Sequence, residues 1–174
     1  DPILNSWAQT ASFPGSARQA ASAFTINGKA YVGAGNQNAT NFQDFYKYDP
    51  SNNTWTPIAA FPGVARCAAF SFALGTDGYV GMGYNFQNST SLPYSLFKDF
   101  WKYDSNSDSW IQLPDFPGGK LYAGVSFAVN GKGYVGMGSD TLLTSQHYSD
   151  IFWEYGLSTG INEIENSTSS LVCY

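Results

Sequence analysis

Arg18 and Arg66 are the first residues to invite a chemical reading: each follows a Phe-Pro-Gly triplet, and a guanidinium grips a carboxylate or phosphate through two parallel hydrogen bonds. At the third such triplet the position falls to Leu121, beside Lys120. A second group is Tyr84, Asn85, Phe86, Gln87 and Tyr94, the aromatic and amide residues of an uncharged segment spanning 84–94. Side chains of these kinds stack on sugars or peptides and hydrogen-bond to their polar edges. His147, the single histidine, stands beside Tyr148 in another polar segment and is a further candidate for ligand binding. Asp44, Asp99 and Asp150 recur at matching places, which suits a structural hydrogen-bonding role better than a catalytic carboxylate pair. Cys67 has no base near it in sequence to draw off its proton, so it reads as a buried thiol.

The same inventory excludes several kinds of chemistry. One histidine and two cysteines, Cys67 and Cys173, cannot furnish a four-ligand zinc site or a disulfide framework, and no metal or cofactor is expected. Thirteen acidic against eight basic residues give a net charge of −5, and Lys and Arg are nowhere clustered, which argues against nucleic acid or an anionic membrane surface as partner. No apolar run approaches the roughly 20 residues of a spanning helix, so membrane insertion is not expected. Asp1 to Asn5 lack the charged start and apolar stretch of a signal peptide, which in an exported protein would already have been removed.

The elements that position these residues follow from a repeat. Phe13-Pro14-Gly15, Phe61-Pro62-Gly63 and Phe116-Pro117-Gly118 recur at offsets of 48 and 55 residues, and the same offsets relate Trp7, Trp55 and Trp110. They also relate Tyr31-Val32-Gly33-Ala34-Gly35 to Tyr79-Val80-Gly81-Met82-Gly83 and to Tyr134-Val135-Gly136-Met137-Gly138. In one unit, Ala20 to Ile26 is a short run of strand formers, Asn27-Gly28 is the favoured hairpin dipeptide, and Lys29 to Gly35 is the return strand. A polar loop, a partly alternating run from Asp44 to Tyr48, the turn Asp49 to Asn53 and a strand around Trp55 complete four antiparallel strands. Such a small sheet cannot cover its own faces, so successive copies must stack face to face, as the blades of a β-propeller do.

Apolar strand, turn, Tyr-Val-Gly-x-Gly, variable loop, then Tyr-Asp with Trp seven residues after the Tyr resembles the kelch repeat. Tyr48-Asp49 with Trp55, and Tyr103-Asp104 with Trp110, carry that resemblance. It implies an all-β fold of three four-stranded antiparallel blades, the last completed by another strand, within a larger propeller. The Gly-x-Gly departs from the family's usual adjacent glycine pair. The resemblance further implies that Ala20 to Ile26, Ala68 to Leu74 and Ala123 to Val129 are inner strands lining a central channel.

Residues 1–12 are expected to form the outer strand of a preceding or ring-closing blade, 13–60 and 61–115 two full blades, and 116–158 a last blade. In that blade Gly156 and Asn162 stand where Asp and Trp are due, so it is expected to lack its own outer strand. Three blades fall short of the roughly 4 to 8 that close a ring, so further blades, or less favourably a second chain, are expected to complete it. Residues 159–174 read as a linker. Their Ile161-Asn162-Glu163-Ile164 run resembles the junction before the C-terminal sorting domain of Bacteroidota type IX secretion cargo, which implies a secreted or cell-surface protein that engages the type IX translocon.

All length variation between copies falls between strands two and three: Gly35 to Asp44 is 9 residues and Gly83 to Asp99 is 16, while Tyr to Trp stays at 7. Loops that vary on a constant scaffold are where recognition concentrates. The expectation is therefore a non-enzymatic module binding a glycan or surface protein through that loop face. The alternatives are a kelch-type sugar-acid mutarotase or other carbohydrate-active propeller, and a structural passenger of a surface complex. A galactose-oxidase-like copper site needs a second histidine. The sialidase-type Ser-x-Asp-x-Gly-x-Thr-Trp box is met only by Asn53-Thr54-Trp55, with Asn52 in the glycine's place.

Overall fold

A computed structural model describes residues 3–86, 94–140, 147–156 and 160–163, and every regular element within them is a strand. The first copy contains β1 (Ser22–Ile26), β2 (Lys29–Gly33), the short β3 (Asn36–Gln37) and β4 (Thr40–Asn41), then β5 (Phe45–Asp49) and β6 (Thr54–Ile58). The second contains β7 (Phe70–Leu74), β8 (Asp77–Gly81), β9 (Tyr84–Phe86), β10 (Tyr94–Leu96), β11 (Phe100–Asp104) and β12 (Ser109–Leu113). The third contains β13 (Val125–Val129), β14 (Lys132–Gly136), β15 (Phe152–Gly156) and β16 (Gly160–Glu163). Three four-stranded antiparallel sheets result, ordered β1-β2-β5-β6, β7-β8-β11-β12 and β13-β14-β15-β16.

Local sequence explains the turns. Asn27 and Gly28 both have positive φ, 50° and 72°, as do Asn130 and Gly131, so these hairpins use type I′ turns whose twist matches the strands. The second copy puts Gly75 at the first turn position, where it alone has positive φ. The constant Tyr-to-Trp spacing has a cross-strand meaning, for Tyr48 lies opposite Trp55 and Tyr103 opposite Trp110.

The core lies between sheets. Phe24, Tyr31 and Phe45 of the first blade pack on Val80, Tyr103 and Trp110 of the second. Phe72, Tyr79 and Phe100 of the second pack in the same way with Val135 and Tyr155 of the third. Gly78 and Gly133 lie flat against the Phe24 and Phe72 rings of the preceding blade, where a side chain would collide. Along the inner strands, Ser71 Oγ donates to Ala23 O at 3.0 Å and accepts from Ala23 N, and Ser126 Oγ does the same for Ser71. At the Gly-x-Gly turns both the middle residue and the second glycine have positive φ, and this aims Gly35 N–H at Arg66 O (2.8 Å) and Gly83 N–H at Leu121 O (2.7 Å) in the next blade.

The chain ends depart from expectation. Gly160–Glu163, read as linker, instead pairs along β15 from Gly156 to Trp153 and supplies the third sheet's fourth strand. A sheet edge offers unpaired N–H and C=O groups to any extended segment within reach, so the missing Trp does not prevent pairing. Residues 6–12 form no strand and join none of the three four-stranded sheets. Ala11 nevertheless docks on the first blade, its N–H to Asn53 Oδ1 (2.8 Å) and its carbonyl to Trp55 Nε1 (3.0 Å), as Ala59 does on Asp108 and Trp110. The segments between strands two and three, read as plain loops, carry the β3–β4 and β9–β10 ribbons.

Candidate functional site

The two arginines are clamps. Arg66 is fully buried, gives two hydrogen bonds to the Asp99 carboxylate at 2.5 and 2.7 Å, and adds bonds to Met82 O and Val64 O. Its guanidinium lies between the rings of Phe61 and Phe97. Arg18 repeats every contact, with Asp44, Ala34 O and Ser16 O as acceptors and Phe13 and Phe42 as ring partners. Four of the five N–H donors of each are thus occupied inside its own blade, so both arginines have a structural role whether or not the remaining donor meets a ligand. Burial pushes the Asp99 carboxyl up, but the hydrogen bonds and charge of Arg66 outweigh it and hold the group below the usual carboxylate range. The sequence signal for the stacking partners is a Phe two residues before each Asp, at Phe42 and Phe97.

Among the aromatic loop residues, Tyr84, Phe86 and Tyr94 gather on the β9–β10 ribbon with ring centroids 5.1 to 6.2 Å apart, and Tyr122 from the next blade joins Tyr84 at 5.1 Å. All three ribbon rings are half-buried, so each keeps part of its surface open. Burial raises the Tyr84 hydroxyl's pKa, and its hydrogen bond with the Cys67 thiol adds to that; burial also raises the Cys67 thiol. Cys67 is a packed residue beneath the aromatic group, as its sequence setting suggests. The buried Asn85 Oδ1 has no hydrogen-bond partner among the described residues. Gln87 lies outside the described residues.

The third copy differs at the clamp. Leu121, buried, stands where the arginine is due, and Asp150, the counterpart of Asp44 and Asp99, is exposed. Tyr148, the counterpart of Phe42 and Phe97, is 70% exposed where those rings cover a guanidinium. Close by in the chain, His147 is exposed and its Nδ1 lies 3.0 Å from Asp140 Oδ2, while its carbonyl accepts from Ser139 Oγ at 2.9 Å. Ser139 pairs with both Tyr122 and Tyr148, so the histidine loop and the aromatic group share one face across the second and third blades. The His147–Asp140 pair was missed in sequence, where the only sign was an Asp seven residues before the His. Among the described residues no cluster of His, Cys, Asp and Glu is arranged to hold a metal ion.

A family model described as the Kelch motif matches residues 17–62, which hold one complete four-stranded sheet with its clamp. The three sheets are β-propeller blades, and the first of them matches the kelch motif. A solved structure described as "Structure of YjhT" is similar over 84% of this chain and 51% of that one, with a TM-score of 0.68 at 20% identity. The chain therefore spans about half the length of YjhT. No curated protein matches it in sequence. At 20% identity the likeness to YjhT shows a shared fold, and the expectation that the chain is non-enzymatic is withdrawn, since it had rested only on the repeat explaining each aspartate without chemistry. Asp150 shows the weakness of that ground, since it keeps the repeat position without the structural partner.

Proposed function

We propose that this chain is part of a carbohydrate-active kelch propeller that moves protons on a bound sugar at the loop face of its third blade. The observation that carries the reading is the lost clamp: Leu121 in place of arginine leaves Asp150 exposed on the same loop that holds the His147–Asp140 pair. Histidine both takes and gives a proton near neutral pH, and an aspartate on its ring nitrogen orients it. In a mutarotation, one group removes the proton of the anomeric hydroxyl as the bond from the anomeric carbon to the ring oxygen breaks. A second group protonates that oxygen, and closure on the other face returns both protons. His147 and Asp150 supply the two groups, and the half-buried rings of Tyr84, Phe86 and Tyr94 a stacking surface. Lys120, exposed beside Leu121, is the cation for a sugar acid's carboxylate now that Arg18 and Arg66 are committed elsewhere. Export through the type IX route belongs to the same proposal and rests on the tail sequence alone.

Anomer exchange followed by NMR over a panel of aldoses and sugar acids tests the reading. His147→Gln and Asp150→Asn should each slow exchange by about 10²- to 10⁴-fold, the usual contribution of a positioned acid or base. Exchange no faster than in buffer for every sugar, or unaltered by both substitutions, would overturn it.

A further inference from the structure

The β3–β4 and β9–β10 ribbons stand side by side on the loop face, and the seam between them is made of amides. Asn36 and Asn41 lie directly opposite each other in β3–β4, so both side chains emerge on one face of that ribbon. Asn41 Nδ2 donates to Phe86 O at the end of β9, over a long 3.4 Å, which identifies this face as the one turned to the second blade. On β9 the Tyr84 ring meets Tyr122 of the third blade, so Asn85, next along the strand, projects back towards the first. Asn36 Oδ1, Asn41 Oδ1 and Asn85 Oδ1 are all sealed from solvent, and none has a hydrogen-bond partner among the described residues. Asn36 as a whole is 1% exposed. A closed seam that buries three unpaired acceptors forfeits their hydration and gains nothing for it.

The blades do not depend on this seam. Each ribbon is a two-stranded sheet of its own, fastened to its blade at the base. Asn36 and Gln19 bond backbone to backbone in both directions, at 3.0 and 2.9 Å, and Phe42 N–H donates to Gly35 O at 2.9 Å. Tyr84 and Cys67 repeat the first fastening at 3.0 and 2.8 Å, and Phe97 N–H on Gly83 O repeats the second at 3.0 Å. Parting the ribbons above these bases breaks the long Asn41 bond and leaves the fastenings whole.

Given the mutarotase reading of the third blade, on which this rests, we propose that the seam opens to take a sugar unit and that the substrate is the reducing end of an oligosaccharide. Three acceptors without a donor call for a ligand that donates. All three are neutral, and the carboxylates that follow the two ribbons, Asp44 and Asp99, are held by Arg18 and Arg66. Hydroxyl groups therefore suit the set better than an ammonium group or a metal ion, whose charge would meet no counter-charge there. Packed sheets lie about 10 Å apart, so a seam between the first and second blades is beyond the reach of a single ring held by His147 and Asp150 on the third. The half-buried rings of Tyr84, Phe86 and Tyr94 stand between the two. A chain of sugar units runs across them, with its reducing end at His147 and a later unit among the amides.

Calorimetric titration with cello-oligosaccharides and with oligogalacturonates of one to three units, beside the anomer-exchange measurement, tests this. Affinity in one of the two series should rise about tenfold or more from one unit to three. The side-chain amide NMR signals of Asn36, Asn41 and Asn85 should shift with that trisaccharide and stay in place with the monosaccharide. Affinity that does not grow with length, or that grows while all three signals stay unmoved, would overturn the proposal. Asn85→Leu deletes one unpaired acceptor, so the ligand-free protein should melt no lower than before, while the ratio of trisaccharide to monosaccharide affinity falls about fivefold or more. A lower melting temperature with that ratio intact would make Asn85 a structural residue and sink the subsite. Exchange of monosaccharides without any gain along either series would leave the mutarotase reading standing and remove this inference; a gain with no exchange would keep the subsite and remove that reading.

Discussion

Phe72 in the second blade and Phe127 in the third hold one repeat position and stack on equivalent tyrosines, Tyr79 and Tyr134, yet they are 4% and 46% exposed. The clamp shows the opposite contrast, since Arg66 and Asp99 are joined in the second blade while Leu121 and Asp150 stand apart in the third. In the first case the residue is constant and the neighbour changes. In the second the neighbourhood is constant and the residue changes. Stability in such a fold is shared between the seams that join blades and the clamps inside them, and the third copy abandons the clamp.

The comparison is broken most severely by removing what the second blade possesses and the third lacks. Arg66→Ala leaves the Asp99 carboxylate half-buried without its counter-ion, and denaturant unfolding should show a loss of about 3–5 kcal/mol. Substituting both residues as the third blade does, Arg66→Leu with Asp99→Asn, should cost less than the single change; a larger loss would show that the ion pair itself, not the stranded charge, holds the blade. Phe72→Ala should cost about 3–5 kcal/mol against about 1 kcal/mol or less for Phe127→Ala, since only the first opens a cavity. Equal losses would mean that the third blade's face is covered. Gly78→Ala drives a methyl into the Phe24 ring and should cost about 1–3 kcal/mol. The smallest effect is in pH. The folded Asp99 carboxyl titrates below its ordinary 3.8, so its contribution is complete above that value and is lost as pH falls through the folded value. Half-buried Asp49, held at about 2 by hydrogen bonds from Lys29 and Ser51, follows the same sign. In Arg66→Ala burial, which pushes the Asp99 carboxyl up, is no longer opposed by the arginine, and the Asp99 part of this acid dependence should be lost or reversed in sign.

The repeat made the blades legible before any coordinate, because Asn-Gly turns, Tyr-Val-Gly-x-Gly and Tyr-Asp with a following Trp are local signals whose geometry is set by backbone sterics and cross-strand pairing. The site was legible only in part. In sequence the recurrence of Arg18 and Arg66 at one repeat position favours a structural role, but that Asp44 and Asp99, 26 and 33 positions away, are the partners is decided only by folding. Leu121 was visible as an exception, but its consequence for Asp150 was not, because that consequence is the absence of a long-range partner.

Sequence alone therefore determined strand order, turn type and the stacking of like units, each controlled by residues a few positions apart or by a repeat that reports itself. Only the tertiary structure decided which arginines are spent on aspartates, which segment completes the third sheet, and which aromatic face is left uncovered. Those outcomes depend on groups distant in the chain competing for the same hydrogen bonds and the same apolar surface, and that competition is resolved only when the sheets are brought together.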